Sequence, residues 1–142
     1  MRPSKDDYYL EIASVVAKRG TCLRRNYGAV IVNKDQIVST GYTGAPRGIL
    51  NCCDAGFCKR QKANVPAGER YELCESVHAE MNAAISAGRE RCIGATIYVV
   101  GRDTETDTLL STLPCLLCSR VIVNAGIETV VTLTERRQIS AR

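Results

Sequence analysis

At 142 residues, 45% of them apolar and 24% charged, the chain is long enough to bury a core and is most simply a single domain over residues 1–142. No apolar run approaches the ~20 residues of a membrane-spanning helix, and the opening Met1-Arg2-Pro3-Ser4-Lys5-Asp6-Asp7 lacks the apolar centre of an export signal, so a cytoplasmic protein without membrane contact is expected. A net charge of +4 is too small to argue for nucleic acid, and with no Trp and one Phe there is little to stack bases on, but a mild positive excess suits a small anion such as a phosphate.

In chain order, Ser4 is placed to cap a helix whose first turn carries Asp6 and Asp7, suiting the helix dipole. Tyr8, Ile12, Val15, Val16 and Arg19 share one face of it, and Gly20 ends it. Tyr27–Tyr42 reads as two strands around an Asn33-Lys34-Asp35 turn, the first apolar enough to be buried on both faces. Residues 43–74 form a long loop rich in Gly, Pro, Asn and Cys, a kind of segment that is functional, disordered or tied down. A helix capped by Ser76 runs to about Ala87 and closes at Gly88; GATIYVVG is a strand; Gly101–Thr112 is a polar excursion with room for a short strand. Pro114 opens another helix, ending near Gly126, and IETVVTL is a final strand. This order predicts an α/β fold with helices packed on a mixed sheet.

Eight cysteines in a chain of this size with no export signal point to metal binding or catalysis rather than to disulfides. The only histidine is His78, with Glu80 two residues on. Cys115 and Cys118, three apart at the start of a helix, share one face, and a helix N-terminus favours the thiolate that binds metal. One imidazole and two thiolates supply three ligands and leave the fourth position of a tetrahedral zinc open, as catalytic rather than structural sites do. Each feature alone has an ordinary explanation: a surface histidine, a buried thiol pair, a carboxylate answering a helix dipole. Together, His78-Ala79-Glu80 and Pro114-Cys115-Leu116-Leu117-Cys118 match every fixed position of the H-x-E…P-C-x-x-C pattern of zinc nucleobase deaminases.

On these residues the chain resembles the cytidine deaminase superfamily and, within it, the deoxycytidylate (dCMP) deaminases. The resemblance runs from the first helix to about Thr132. Beyond the zinc motifs, TCLRRNYGAVIV (Thr21–Val32), TGYTGAPRG (Thr40–Gly48) and VIVNAGIETVV (Val121–Val131) carry it. It implies a three-layer α/β/α sandwich around a mixed five-stranded sheet and zinc-dependent hydrolytic deamination of dCMP to dUMP and ammonia. His78, Cys115 and Cys118 are then the zinc ligands and Glu80 the catalytic proton shuttle. Deaminases of cytidine, guanine or transfer-RNA adenosine are the alternatives. A non-catalytic zinc module is a weaker one, because it has no use for Glu80.

The resemblance also sets expectations for the pocket. Arg24, Arg25 and Arg47 are candidates for the substrate phosphate, with Arg25 and Arg47 preferred because the loops that carry them are expected to converge on one mouth. Thr43 stands where the family usually has Asn, at the sugar contact. Tyr98 is placed near the base, although a strand tyrosine is commonly core. Several dCMP deaminases carry a second, structural zinc; here the implied ligands are Cys22, Cys52, Cys58 and Cys74, with Cys52 preferred to its neighbour Cys53 and scattered free thiols as the alternative. Cys92 reads as a plain buried thiol. Dimers or hexamers responding to dCTP and dTTP occur in the family, so a homo-oligomer and these effectors are expected. The Gly101–Thr112 excursion is longer than in many relatives, and the C-terminal helices that some of them use to complete the pocket are expected to be short or missing.

Overall fold

In the computed structural model, which describes residues 1–139, Ser4 caps helix α1 (Lys5–Ala17), its hydroxyl accepting from the Asp7 amide at 3.1 Å. Such a cap contributes about 1 kcal/mol. A hairpin follows, β1 (Arg25–Asn33) and β2 (Gln36–Tyr42). Its two-residue turn has Lys34 and Asp35 at φ of 52° and 59°, the left-handed pair whose twist matches that of the strands. Lys5 Nζ and the Tyr9 hydroxyl both donate to the Asp35 carboxylate, at 2.7 and 3.0 Å, and so pin the start of α1 to this turn.

The expected loop at 43–74 is organised by two single-turn helices, α2 (Cys52–Ala55) and α3 (Lys59–Lys62), and a 3-10 turn at Tyr71–Leu73. Then come α4 (Ala79–Ala87), α5 (Arg89–Cys92), β3 (Thr96–Asp103), β4 (Leu109–Leu110), α6 (Leu116–Ala125), β5 (Thr129–Val131) and β6 (Arg136–Gln138). Both longer helices begin after the positions expected from sequence, because His78 and Cys115 themselves occupy the N-cap sites.

The sheet is mixed, with order β2-β1-β3-β5-β6 and β4 paired to β3; β3 and β5 run parallel and the other pairs antiparallel. Five strands lie in line, as expected, and the two-residue β4 makes six. β6 escapes prediction because Arg136, Arg137 and Gln138 are all exposed and carry no apolar alternation. Successive residues of β1 feed opposite cores. Ala29 and Ile31 pack with Ala79, Ala83, Ile97, Val99 and Ile122 beneath α4 and α6, while Val30 and Val32 pack with Tyr9, Leu10, Tyr98 and Val100 beneath α1. The result is the three-layer α/β/α sandwich.

The buried face of α1 differs from the expected one. Tyr9, Leu10, Ala13, Ser14 and Ala17 face the sheet, whereas Tyr8 and Val15 are exposed. The reason is backbone proximity rather than hydrophobic weight. A Cβ on Gly28 of β1 would lie 2.1 Å from the Ala13 carbonyl oxygen, so the helix must turn its small residues inward. Gly41 of β2 does the same on the other face, where a Cβ would lie 2.4 Å from both the Ala79 oxygen and the Ala83 nitrogen. The alanines of α4 therefore rest directly on the strand, and its first turn is held where His78 and Glu80 are needed. Replacing Gly41 with Val is expected to lower unfolding free energy by about 1–3 kcal/mol in urea titration, against less than about 0.5 kcal/mol for Thr40→Val on the exposed face of the same strand.

Candidate metal centre and active site

Three contacts to β2 and the segment after it position α4. Val77 and Gly44 form an isolated antiparallel bridge, the Ser39 hydroxyl donates to the Ala83 carbonyl at 2.8 Å, and the Asn82 side-chain Nδ2 donates to the Tyr42 carbonyl at 2.9 Å. His78 occupies the N-cap but does not cap its own helix. Its Nδ1 instead faces two sulfurs, 3.2 Å from Cys118 Sγ and 3.5 Å from Cys115 Sγ. Cys115 is the N-cap of α6 and its sulfur accepts from the Cys118 amide, so the two helix N-termini deliver their donors to one point.

His78, Cys115 and Cys118 offer one nitrogen and two sulfurs all within 4.8 Å of one another. Cys118 is fully buried, and its thiol is pushed far above the ordinary range by burial first and then by the neighbouring Glu80 carboxylate and Cys115 sulfur. Glu80, on the first turn of α4, is 5% exposed; burial raises its carboxyl above the usual carboxylate range, opposed by its own backbone amide, by His78 and by Cys118. Groups that ionise to anions are thus crowded where little water reaches; a bound divalent cation would offset that cost and hold both sulfurs as thiolates. This donor set suits zinc, with two soft sulfurs, one imidazole and a tetrahedral position to spare.

The cluster opens on a cavity of about 370 Å³, within the range of small-molecule sites. Glu80, Thr43 and Tyr71 line it, together with Arg24, Arg25 and Arg60. The Thr43 hydroxyl accepts from the Tyr27 amide at 3.0 Å, which anchors the residue but leaves its own O–H proton for another partner. The end of the polar excursion also has a place, since Thr112 and the following Leu113 form part of the cavity wall.

A sequence profile for the cytidine and deoxycytidylate deaminase zinc-binding region matches residues 3–134. The chain belongs to that deaminase family. The deoxycytidylate deaminase of Schizosaccharomyces pombe is 40% identical over 130 residues, which cover 92% of this chain and 37% of the yeast protein. That of Mycobacterium phage D29 is 39% identical over 135 residues, covering 92% of this chain and 94% of the phage protein. The chain therefore spans little more than a third of the yeast relative and nearly all of the phage one. The dCMP deaminase of cyanophage S-TIM5 shares the fold, with a TM-score of 0.62 over 92% of this chain and 82% of that one, at 22% identity.

Two of the expected pocket residues in this family member lie elsewhere. Tyr98 points to the α1 face, where it packs 5.1 Å from the Tyr9 ring and its hydroxyl donates to Asp6 at 2.9 Å. Burial and the Asp6 carboxylate push that hydroxyl up to about 12, and Arg136 grips the same carboxylate through two contacts of 2.9 Å. Tyr98 is thus a clamp joining α1, β3 and β6, because strand alternation turns it away from the face that Val99 presents to the cavity. Arg47 is exposed and is not among the cavity-lining residues, since the chain after Pro46 turns outward. Arg25 does reach the cavity but is exposed and stands opposite Asp103 in the β1–β3 register. Arg60 and Tyr71 were not singled out from sequence; they sit in the aperiodic stretch between Cys58 and Cys74, where no pattern marks an inward side chain.

Cys22, Cys58 and Cys74 line the cavity, and the Cys52 thiol is pushed up by burial and then by Cys22, Cys74 and Cys58 nearby. Cys53 is exposed, its amide donating to the Thr21 carbonyl. Among the described residues no three of the sulfurs of Cys22, Cys52, Cys58 and Cys74 come within 4.8 Å of one another, so these cysteines share a neighbourhood without the tight spacing of the His78 cluster. Cys92 is fully buried in the core, as expected. Replacing Cys118 with Ala is expected to abolish zinc retention at the His78 cluster after dialysis, measured by elemental analysis, while Cys92→Ala, an equally buried thiol, retains that zinc.

Proposed function

We propose that the chain is a single deaminase domain over residues 1–142 that hydrolyses dCMP to dUMP and ammonia. The observation that carries this reading is the buried Glu80 carboxyl beside Cys118 and His78, on the wall of a cavity whose lining includes three arginines. A carboxyl kept from water next to a metal donor set serves a proton transfer, and a structural zinc site has no need of one. The arginines favour a phosphorylated substrate over a free base or nucleoside. The name of the phage relative, matched over nearly its whole length, supports the same substrate.

Zinc held by His78, Cys115 and Cys118 supplies the Lewis acidity that makes water nucleophilic near neutral pH. Glu80 removes a proton from the attacking water and passes it to ring N3 as the oxygen joins C4. It then carries the second proton to the exocyclic nitrogen, which leaves as ammonia while the C4 oxygen becomes the uracil carbonyl. One carboxylate acts as base and then as acid, and its raised affinity for a proton suits both roles. Thr43, with a hydroxyl proton to give, is the candidate for the sugar contact.

The second zinc belongs to the same proposal, bound by Cys22, Cys52, Cys58 and Cys74. The convergence of Cys22, Cys58 and Cys74 on Cys52 supports it, and the exposure of Cys53 supports the choice between the adjacent pair. A homo-oligomer, a dimer or hexamer, with dCTP and dTTP as effectors and a cytoplasmic location completes the reading. Among the described residues no helix is long and apolar enough to cross a membrane.

Loss of ultraviolet absorbance, followed with dCMP, CMP, deoxycytidine, cytidine and guanine side by side, is expected to give the highest kcat/KM for dCMP; a preference for cytidine or guanine overturns the substrate assignment. Glu80→Gln is expected to keep zinc and lose about 10²–10⁴ in kcat, the range of general acid–base catalysis. Elemental analysis is expected to give two zinc ions per chain, falling by one in Cys52→Ser and not in Cys53→Ser; a single ion in the unsubstituted protein removes the second site.

A further inference from the structure

A guanidinium taken out of water without a carboxylate partner is costly unless an anion completes it. Arg60 of α3 is in that position, with 7% of its surface exposed. Nε and Nη2 donate to the Glu69 carbonyl at 3.0 and 2.8 Å, and Nη2 also reaches the Pro66 carbonyl at 3.4 Å. Nη1 has no hydrogen-bond partner among the described residues, yet it is not sealed from solvent. None of the ion pairs among the described residues includes Arg60, and Glu72, which feels its charge, is held first by Arg70.

The position of this cation is set by stacking. Its guanidinium carbon lies 4.6 Å from the centre of the Tyr71 ring, and that ring and the His78 imidazole form a T-shaped pair with centroids 6.0 Å apart at an angle of 85°. All three side chains line the same cavity, so Arg60 and the metal cluster share it. The other arginines of the cavity are less suited to hold an anion. Arg25 is exposed and faces Asp103 across the strands, and Arg24 is only half-buried. Exposed charges are screened by water and salt, whereas a buried N–H donor to an anion is not.

We propose that Arg60 is the specificity-determining residue that makes this cavity select a phosphate monoester, its Nη1 donating to a phosphate oxygen while Tyr71 and the Glu69 carbonyl hold the guanidinium in place. The identity of the nucleotide rests on the deaminase reading above; the selection of phosphate rests on Arg60 itself. Isothermal titration of the zinc-loaded protein with dUMP and deoxyuridine tests it without requiring turnover. Arg60→Gln, which keeps a donor for the Glu69 carbonyl, is expected to weaken dUMP binding by at least about 30-fold, as loss of a buried charged contact does, and to leave deoxyuridine binding unchanged. Arg60→Lys is expected to fall between Gln and Arg, and Arg25→Ala to cost less than about fivefold. Equal weakening of both ligands, or unchanged dUMP binding, overturns the assignment, as does an unsubstituted protein that binds dUMP no tighter than deoxyuridine. Melting curves of each variant identify a fold defect; if Arg60→Gln melts early, Arg60→Lys carries the test and must still lose more dUMP than deoxyuridine affinity. Unsubstituted protein that binds dUMP but turns over none of the cytosine substrates overturns the deaminase reading and leaves the Arg60 result standing.

Discussion

The close approach of α4 to β2 is the constraint on which the site depends. Gly41 has no Cβ to hold the helix off, and the backbone of Ala79 and Ala83 sits where that atom would be. From there the Gly44–Val77 bridge fixes the residue before His78, and the imidazole reaches across to α6. Fixing side chains on two helix starts, each packed on a sheet, holds three donors together more rigidly than loops can. Alanine on α4 and glycine on the strand are therefore part of the metal chemistry, although neither contributes a donor atom.

The cavity that results is electrically divided. At its floor, two sulfurs and one imidazole nitrogen lie within reach of one ion beside the buried Glu80 carboxyl, a donor set that suits a divalent cation. Along its wall stands a buried guanidinium without a carboxylate. The proposed cytosine nucleotide would match this division, with a ring that accepts and releases protons at one end and a dianion at the other. Tyr71 bridges the two regions, with the Arg60 guanidinium over its ring and the His78 imidazole set at 85° to it.

The segment between β2 and α4 performs much of this work. It lacks the periodicity of a helix or strand, yet it supplies Arg60, Tyr71 and two of the cavity-lining cysteines, Cys58 and Cys74. Short helical turns, the carbonyls of Pro66 and Glu69, and the cation over Tyr71 give it order that no apolar repeat provides. A thiolate-bound metal at its cysteines would add a covalent-strength staple to the same segment.

The local chemistry was legible in one dimension. His78-Ala79-Glu80 and Pro114-Cys115-x-x-Cys118 marked the donor set and its neighbouring carboxyl, because their order and spacing match the deaminase zinc motif and the i, i+3 pair Cys115 and Cys118 shares a helix face. The helices, the hairpin and the doubly buried β1 were legible for the same reason: apolar period and capping are local properties. Whether a side chain faces the cavity is decided by neighbours distant in sequence. Tyr98 went to the α1 core because strand alternation and Asp6 claimed it, Arg47 was turned outward, and Arg60 was drawn in by carbonyls and a ring with no pattern to betray them. Residue order thus determined which donor set the chain carries, while only the packed structure decided which cations surround it, since burial and close approach depend on residues brought together by folding.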